Sequence, residues 1–270
     1  MMLSHLWEGS QWLAEGSIKV VDRRGDFLVS CIMDRGKLYV VATPIGNLED
    51  ITLRALRILK EVDMVLAEDT RRTRQLMTYY KIHKPLSSYH AFTLPSKEQS
   101  LLRLLEGGKS LALVSDAGTP GISDPGGRII EKAIELGVEV IPIPGPTALA
   151  AALTVCGLSL HQFMFAGFLS SKSSGRRKQL EGLRWEKSTL VFYESPHRLV
   201  NMLQDVLNAF GNRRAAVARE LTKLHEEVVR GTMVEIVDRF QRQAPRGELV
   251  VVVEGYFQKQ NSEDRSQKSE

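Results

Sequence analysis

LALVSDAGTPGISDPGG, residues 111–127, decides the fold: an apolar run suited to a buried strand passes into a polar loop punctuated by glycine and proline, which then opens a helix. Open α/β sheets place ligands outside the carboxyl ends of their strands, where such loops lie. Gly118, Gly121, Gly126 and Gly127 let backbone approach a ligand, and Pro120 and Pro125 stiffen the turn. Ser115, Asp116, Thr119, Ser123 and Asp124 supply polar atoms.

Working outward, LYVVAT (38–43), DMVLAE (63–68) and VEVIPIP (138–144) join SLALVSD (110–116) as short apolar runs of the kind that form buried parallel strands. Amphipathic stretches separate them. Leu53, Leu56 and Leu59 share one helical face. Leu101, Leu102, Leu104 and Leu105 precede Gly107 and Gly108, and Ile129, Ile130, Ala133 and Ile134 precede Gly137. The alternation predicts a doubly wound α/β domain over 36–157. A small-residue helix from Thr147 to Cys156 ends at Gly157. A second α/β domain is expected over 158–258, with strands in FMFAGF, TLVFYE, AAVARE, EEVVRG and ELVVVVEGY and helices near 176–184, 196–210 and 232–240. Residues 1–35 show no period and are read as an extension, and the polar tail 259–270 is read as disordered.

The chain has 270 residues, 43% hydrophobic and 25% charged, with a formal net charge of +4, an ordinary globular composition that permits a polyanionic partner. Cys31 and Cys156 are the only cysteines, so no disulfide framework is available and a reducing, cytoplasmic setting is expected. The six histidines fall in no metal-ligand spacing, so no metal is expected. No apolar run reaches the length of a membrane span, and no membrane partner is expected.

TPIGN (43–47), the loop 115–127 and PGPTA (144–148) each follow a predicted strand, so they share one sheet edge and converge on one pocket. TPIGN is not the GxGxxG of dinucleotide sites, and GISDPG departs from the GxSxG nucleophile elbow at Pro125. AEDTRRT (67–73) sets two acids beside Arg71 and Arg72 at a strand end. FYESPHRL (192–199) carries Glu194, His197 and Arg198, and ARELTKLHEE (218–227) carries Arg219, Glu220 and Lys223. SSKSSGRRKQLEGLRWEK (170–187), with Lys172, Arg176, Arg177 and Lys178, is read as a flexible basic loop suited to nucleic-acid phosphates.

Together, LYVVATPIGNLEDIT, AEDTRRT, SDAGTPGISDPG, PGPTALAAAL, FYESPHRL and ARELTKLHEE, from about residue 37 to 257, resemble the bacterial RsmI family of ribosomal RNA methyltransferases. The resemblance implies a two-domain tetrapyrrole methylase-like fold holding S-adenosylmethionine in the interdomain cleft. It also implies 2'-O-methylation of a cytidine in the decoding region of 16S ribosomal RNA, in the 30S subunit, by a homodimer. Carried onto this sequence, the donor site takes in Pro44, Ile45, Asp116, Ala117, Gly118, Ile122, Ser123, Thr147, Ala148 and Phe192. Asp69, Glu194 and Glu220 are the candidate proton acceptors, with His197 next; Arg71, Lys172, Arg176, Arg177, Lys178, Arg198, Arg219 and Lys223 are the candidate RNA contacts.

The chain departs from the family after SYH, where it reads AFTLPSKEQS, and at FLSSK, where relatives commonly have FLP. The extension has no family counterpart, and MDRGKLYVVATPIGN resembles a family N-terminus, so Met33 is expected to be the physiological start. Two alternatives stay open: a tetrapyrrole-type small-molecule methyltransferase, and a non-catalytic RNA-binding assembly factor.

Overall fold

The alternation of apolar runs and amphipathic helices becomes two five-stranded sheets with their own helices. The structure, a computed structural model, describes residues 35–243 and 246–257 and the strands at 18–21 and 27–30. Those two strands, β1 (Ile18–Val21) and β2 (Phe27–Ser30), pair antiparallel. The rest of the N-terminal extension through residue 34, including the expected start at Met33, and the tail 259–270 lie outside the described residues.

The first sheet contains β3 (Lys37–Val41), β4 (Met64–Ala67), β5 (Leu86–Ser88), β6 (Leu111–Val114) and β7 (Glu139–Ile143). They run in the order β5-β4-β6-β3-β7, and every pair is parallel. Its helices are α1 (Leu53–Glu61), α2 (Thr70–Tyr79), α3 (Pro95–Glu106) and α4 (Gly127–Glu135). Strand alternation sends Ala112 and Val114 to one face, where they meet Ile58 and Leu59 of α1 and Met77 of α2. Leu111 and Leu113 go to the other face, against Leu101 and Leu105 of α3 and Ile129 of α4. Both faces are therefore covered, which is why β6 is apolar at every position. The Thr52 hydroxyl starts α1 by accepting from the Ala55 N–H at 3.1 Å. Glu98, fully buried on α3, accepts from the Tyr89 hydroxyl, Arg128 and Lys132 and so ties α3 to α4.

The second sheet contains β8 (Phe163–Phe168), β9 (Thr189–Glu194), β10 (Arg214–Arg219), β11 (Glu227–Thr232) and β12 (Leu249–Val253), in the order β11-β10-β12-β9-β8. Only β8 and β9 run parallel. Helices α6 (Ser173–Leu183), α7 (Leu199–Phe210) and α8 (Met233–Arg242) cover one face, packing Leu180, Met202, Leu203 and Ile236 on Phe192, Val217 and Val251. On the other face α5 (Ala148–Cys156) packs Ala152, Leu153 and Cys156 against Val191, Ala216 and Val252. This packing groups residues from Pro146 onward, together with Pro44–Asp50, into the second compact unit, whereas the sequence placed the boundary near 157. The short edge strand β5 and the helix α2 are further additions to the sequence reading. Among the described residues no helix is long and apolar enough to cross a membrane.

The basic stretch 170–187 is largely helix α6 rather than a flexible loop, and Arg176 does not face solvent. Its guanidinium is buried and binds Asp205 of α7 through Nε at 2.7 Å and Nη2 at 2.6 Å. Arg176 is thus a core ion pair, not an RNA contact, because successive residues of a helix point about 100° apart and only one of this basic run turns inward. Arg176→Ala is expected to cost about 3–5 kcal/mol in urea unfolding, by stranding Asp205 without its partner. An unchanged unfolding midpoint would contradict this assignment.

Candidate functional site

The site begins where β3 and β6 end side by side. After β3 the chain reaches α1 on one face of the sheet, and after β6 it reaches α4 on the other. Neighbouring strands whose helices leave to opposite faces open a crevice at their carboxyl ends. Thr43 and Gly118 close its base with two reciprocal backbone hydrogen bonds, each 2.9 Å. The buried Thr43 hydroxyl also donates to the Ser115 carbonyl at 3.2 Å. Gly118 adopts φ +84, a conformation that a side chain would strain. Ser123 is left-handed at φ +61 without being glycine, so the loop holds it there at a cost, as binding loops often do.

Carboxylates gather at this edge. Asp116 accepts from the Asp69 N–H at 2.8 Å through Oδ1 and faces Arg72 at 3.5 Å through Oδ2, fixing the β4–α2 junction. Asp69 caps α2 by accepting from the Arg71 N–H at 2.8 Å, and the Arg71 guanidinium grips both of its oxygens. That grip, with the cap bond, lowers the Asp69 carboxyl to about 2, which is unsuited to accepting a proton near neutrality. Its neighbour Glu68 behaves oppositely: burial pushes its carboxyl up, and the like charges of Asp116 and Asp124 push the same way. Glu68 is the acid the sequence reading passed over. Two adjacent acids look alike in sequence until their environments separate them.

Within the second unit, Ile45 is buried among Ala152, Leu153 and Ala216, so its side chain is core and only its backbone is available to a ligand. Pro44 is half-buried beside it. The segment Pro44–Asn47 lies on the turn 221–223: a Cβ on Gly46 would meet Lys223 Cγ at 2.4 Å, and the Asn47 N–H donates to the Thr222 hydroxyl at 3.0 Å. Thr147 is the N-cap position of α5, but its hydroxyl makes no capping bond; Ala148 begins the helix. The Leu149 N–H instead donates to the Tyr193 hydroxyl at 3.1 Å. Phe192, expected to wall the donor site, is fully buried against α6–α8, and alternation along β9 gives the α5 face to Tyr193.

Glu194 is buried; its Oε1 accepts from the Ser195 N–H at 2.8 Å and lies 3.2 Å from Arg198 Nε. Arg198 donates in turn to the Leu169 carbonyl at 2.6 Å, so the pair anchors the chain after β8, while Glu194 Oε2 is buried without a hydrogen-bond partner. Glu220 accepts from Lys223 and from the Glu248 N–H, both at 3.0 Å, and these bonds hold its carboxyl below the usual range against the opposing cost of burial. Arg219 is bound to Glu227. His197 is exposed, as are Lys172, Arg177 and Lys178 on the α6 segment and Arg71. The structure therefore brings Asp69, Asp116, Ala117 and Gly118 to one edge, with Ile122 and Ser123 farther along the same loop. It turns Phe192, Glu194 and Arg176 inward.

Comparison with known proteins agrees with this architecture. Residues 37–237 match the model of the tetrapyrrole (corrin/porphyrin) methylases. The ribosomal RNA small subunit methyltransferase I of Thermotoga maritima is 48% identical over 82% of this chain and 99% of its own length. Among solved structures, cobalt precorrin-4 methyltransferase, a cobalamin biosynthetic enzyme, superposes with a TM-score of 0.60 at 20% identity, over 81% of this chain and 94% of its own. A uroporphyrin-III C-methyltransferase from Thermus thermophilus complexed with S-adenosyl homocysteine gives 0.58 at 22%, over 80% and 97%.

Because the folded value of Asp69, about 2, lies below its ordinary 3.8, its contribution to stability is present above 3.8 and is lost as the pH falls through about 2. In carboxyl NMR titrations the Asp69 midpoint should move up toward the ordinary value in Arg71→Ala. A wild-type Asp69 titrating at its ordinary value would contradict the geometry.

Proposed function

From the premise that the chain belongs to the tetrapyrrole methylases, and within them to the ribosomal RNA small subunit methyltransferase I family, we propose that it methylates the 2'-oxygen of a cytidine ribose in the decoding region of 16S ribosomal RNA. It is an S-adenosylmethionine-dependent ribosomal RNA methyltransferase. The observation that carries the reading is the 48% identity across 99% of the length of a relative named for this class of substrate. The assembled 30S subunit as substrate, a homodimer as the working species and a cytoplasmic setting belong to the same proposal.

The residues at the sheet edge suit the donor. A sulfonium is cationic, and Glu68, Asp116 and Asp124 gather negative charge at the ends of β4 and β6. Backbone of Ala117 and Gly118, with the Ile122 and Ser123 stretch, offers polar atoms without bulky side chains. Pro44, Ile45, Thr147 and Ala148 are the donor contacts proposed within the second unit. When bound, S-adenosylmethionine supplies an electrophilic methyl group. Transfer forms a bond from the ribose oxygen to that carbon, breaks the carbon–sulfur bond and releases the hydroxyl proton.

Positioning of the hydroxyl supplies much of the acceleration, and a carboxylate receives the proton. We assign that role to Glu68. Asp69 has both oxygens held by Arg71, which it orients, and Glu194 and Glu220 each hold a cation within the second unit, whereas Glu68 lies at the sheet edge with its carboxyl raised by burial. Exposed Lys172, Arg177 and Lys178 supply phosphate contacts.

Incubation with methyl-labelled S-adenosylmethionine and 30S subunits from a strain lacking the modification should place label on one cytidine 2'-oxygen, while uroporphyrinogen stays unlabelled. Glu68→Gln should slow this transfer roughly 100-fold or more. Label on the tetrapyrrole, or none in ribose, would overturn the reading.

A further inference from the structure

Within the second unit, the end of β10, the start of β11 and the end of α8 surround a cavity of about 570 Å³. Its lining includes Arg219, Glu227, Arg239, Arg242 and Arg246. Glu227 organises the two inner guanidinia: one carboxylate oxygen accepts from Arg219 Nε and the other from Arg239 Nη2 at 2.6 Å. These bonds hold the Glu227 carboxyl below the usual range, so it stays charged and keeps both arginines in place. Glu220, also on the wall, is occupied by Lys223. Arg242 and Arg246 are exposed and make no ion pair among the described residues.

Two oriented guanidinia and two uncommitted ones face a half-open cavity that exceeds the size of a single phosphate. Planar forks of this kind recognise phosphate oxygens in pairs. One wall continues into residues 220–223, where Glu220 and Thr222 are left-handed at φ +49 and +67. This strained turn is the surface on which Gly46 and Asn47 rest, so the cavity and the Pro44–Asn47 segment are supported from one piece of backbone.

We infer that this cavity binds consecutive phosphates of the RNA chain and so registers the acceptor strand against the turn that supports Pro44–Asn47. The inference rests on the ribosomal RNA reading for the identity of its ligand. Arg219 then contacts RNA as part of a Glu227-oriented set, and Arg239, Arg242 and Arg246 join it.

The test measures binding of a fluorescent single-stranded oligoribonucleotide across a salt series, with wild type and the Arg242→Ala/Arg246→Ala double variant. The slope of log K against log salt should become shallower by about 1.4, at about 0.7 per lost phosphate contact, while S-adenosylmethionine affinity by calorimetry is unchanged. An unchanged slope overturns the inference. In wild type, phenylglyoxal modification of Arg242 and Arg246 should be blocked by the same RNA; full reactivity in the complex also overturns it, without any variant having to fold. Inorganic pyrophosphate should compete with the RNA. Protection of the arginines by pyrophosphate without RNA displacement would identify a small-anion site and refute an RNA one. Wild type that binds RNA here but never labels 30S subunits would refute the methyltransferase reading alone, and labelling with an unchanged slope would refute the cavity alone.

Discussion

Two hydrogen bonds between Thr43 and Gly118 hold the first sheet's functional edge together. The strands that carry them are neighbours in space but about seventy residues apart in sequence, and their helices diverge to opposite faces of the sheet. Without this tie, two loops rich in glycine and proline would be free to splay, and the crevice of a parallel sheet would lose its base. With it, Ser115 and Asp116 leave β6 in a fixed direction, Asp116 reaches the Asp69 N–H, and the start of α2 is set from the neighbouring strand. A buried threonine and a left-handed glycine therefore set the position of groups that they do not touch.

The acids around that tie divide their duties by environment. Asp69 is stabilised as a carboxylate by Arg71 and by the helix it caps, while Glu68, one residue earlier, is raised by burial and by the charge of Asp116 and Asp124. In the second unit Glu194, Glu220 and Glu227 each hold a cation, so their work is to place Arg198, Lys223 and the Arg219–Arg239 pair. Buried or half-buried ion pairs of this kind add little net stability, but they fix geometry, and geometry is what methyl transfer and phosphate recognition need.

The sequence made the strand, loop and helix of 111–127 legible because its apolar period, glycines and helix start all agree, and the structure places β6 at Leu111–Val114 and α4 from Gly127. The family and its chemistry were legible from ordered motifs. Facing directions were not. Whether Phe192 or Tyr193 looks toward α5 depends on the parity of β9, and whether Arg176 or Arg177 turns inward depends on the register of α6 against Asp205. The reach of the second unit back to Pro146 was also hidden, because α5 is apolar nearly all round and its sequence does not say which sheet buries it.

The loop after β6, tied to the end of β3 at Thr43 and Gly118, is the proposed donor-binding edge of the first unit. Hydrogen–deuterium exchange with and without S-adenosylhomocysteine tests it most directly. Slowed exchange is predicted in peptides covering 115–123, with 170–187 unchanged. Binding that leaves 115–123 unprotected, or that protects only segments elsewhere, would contradict it.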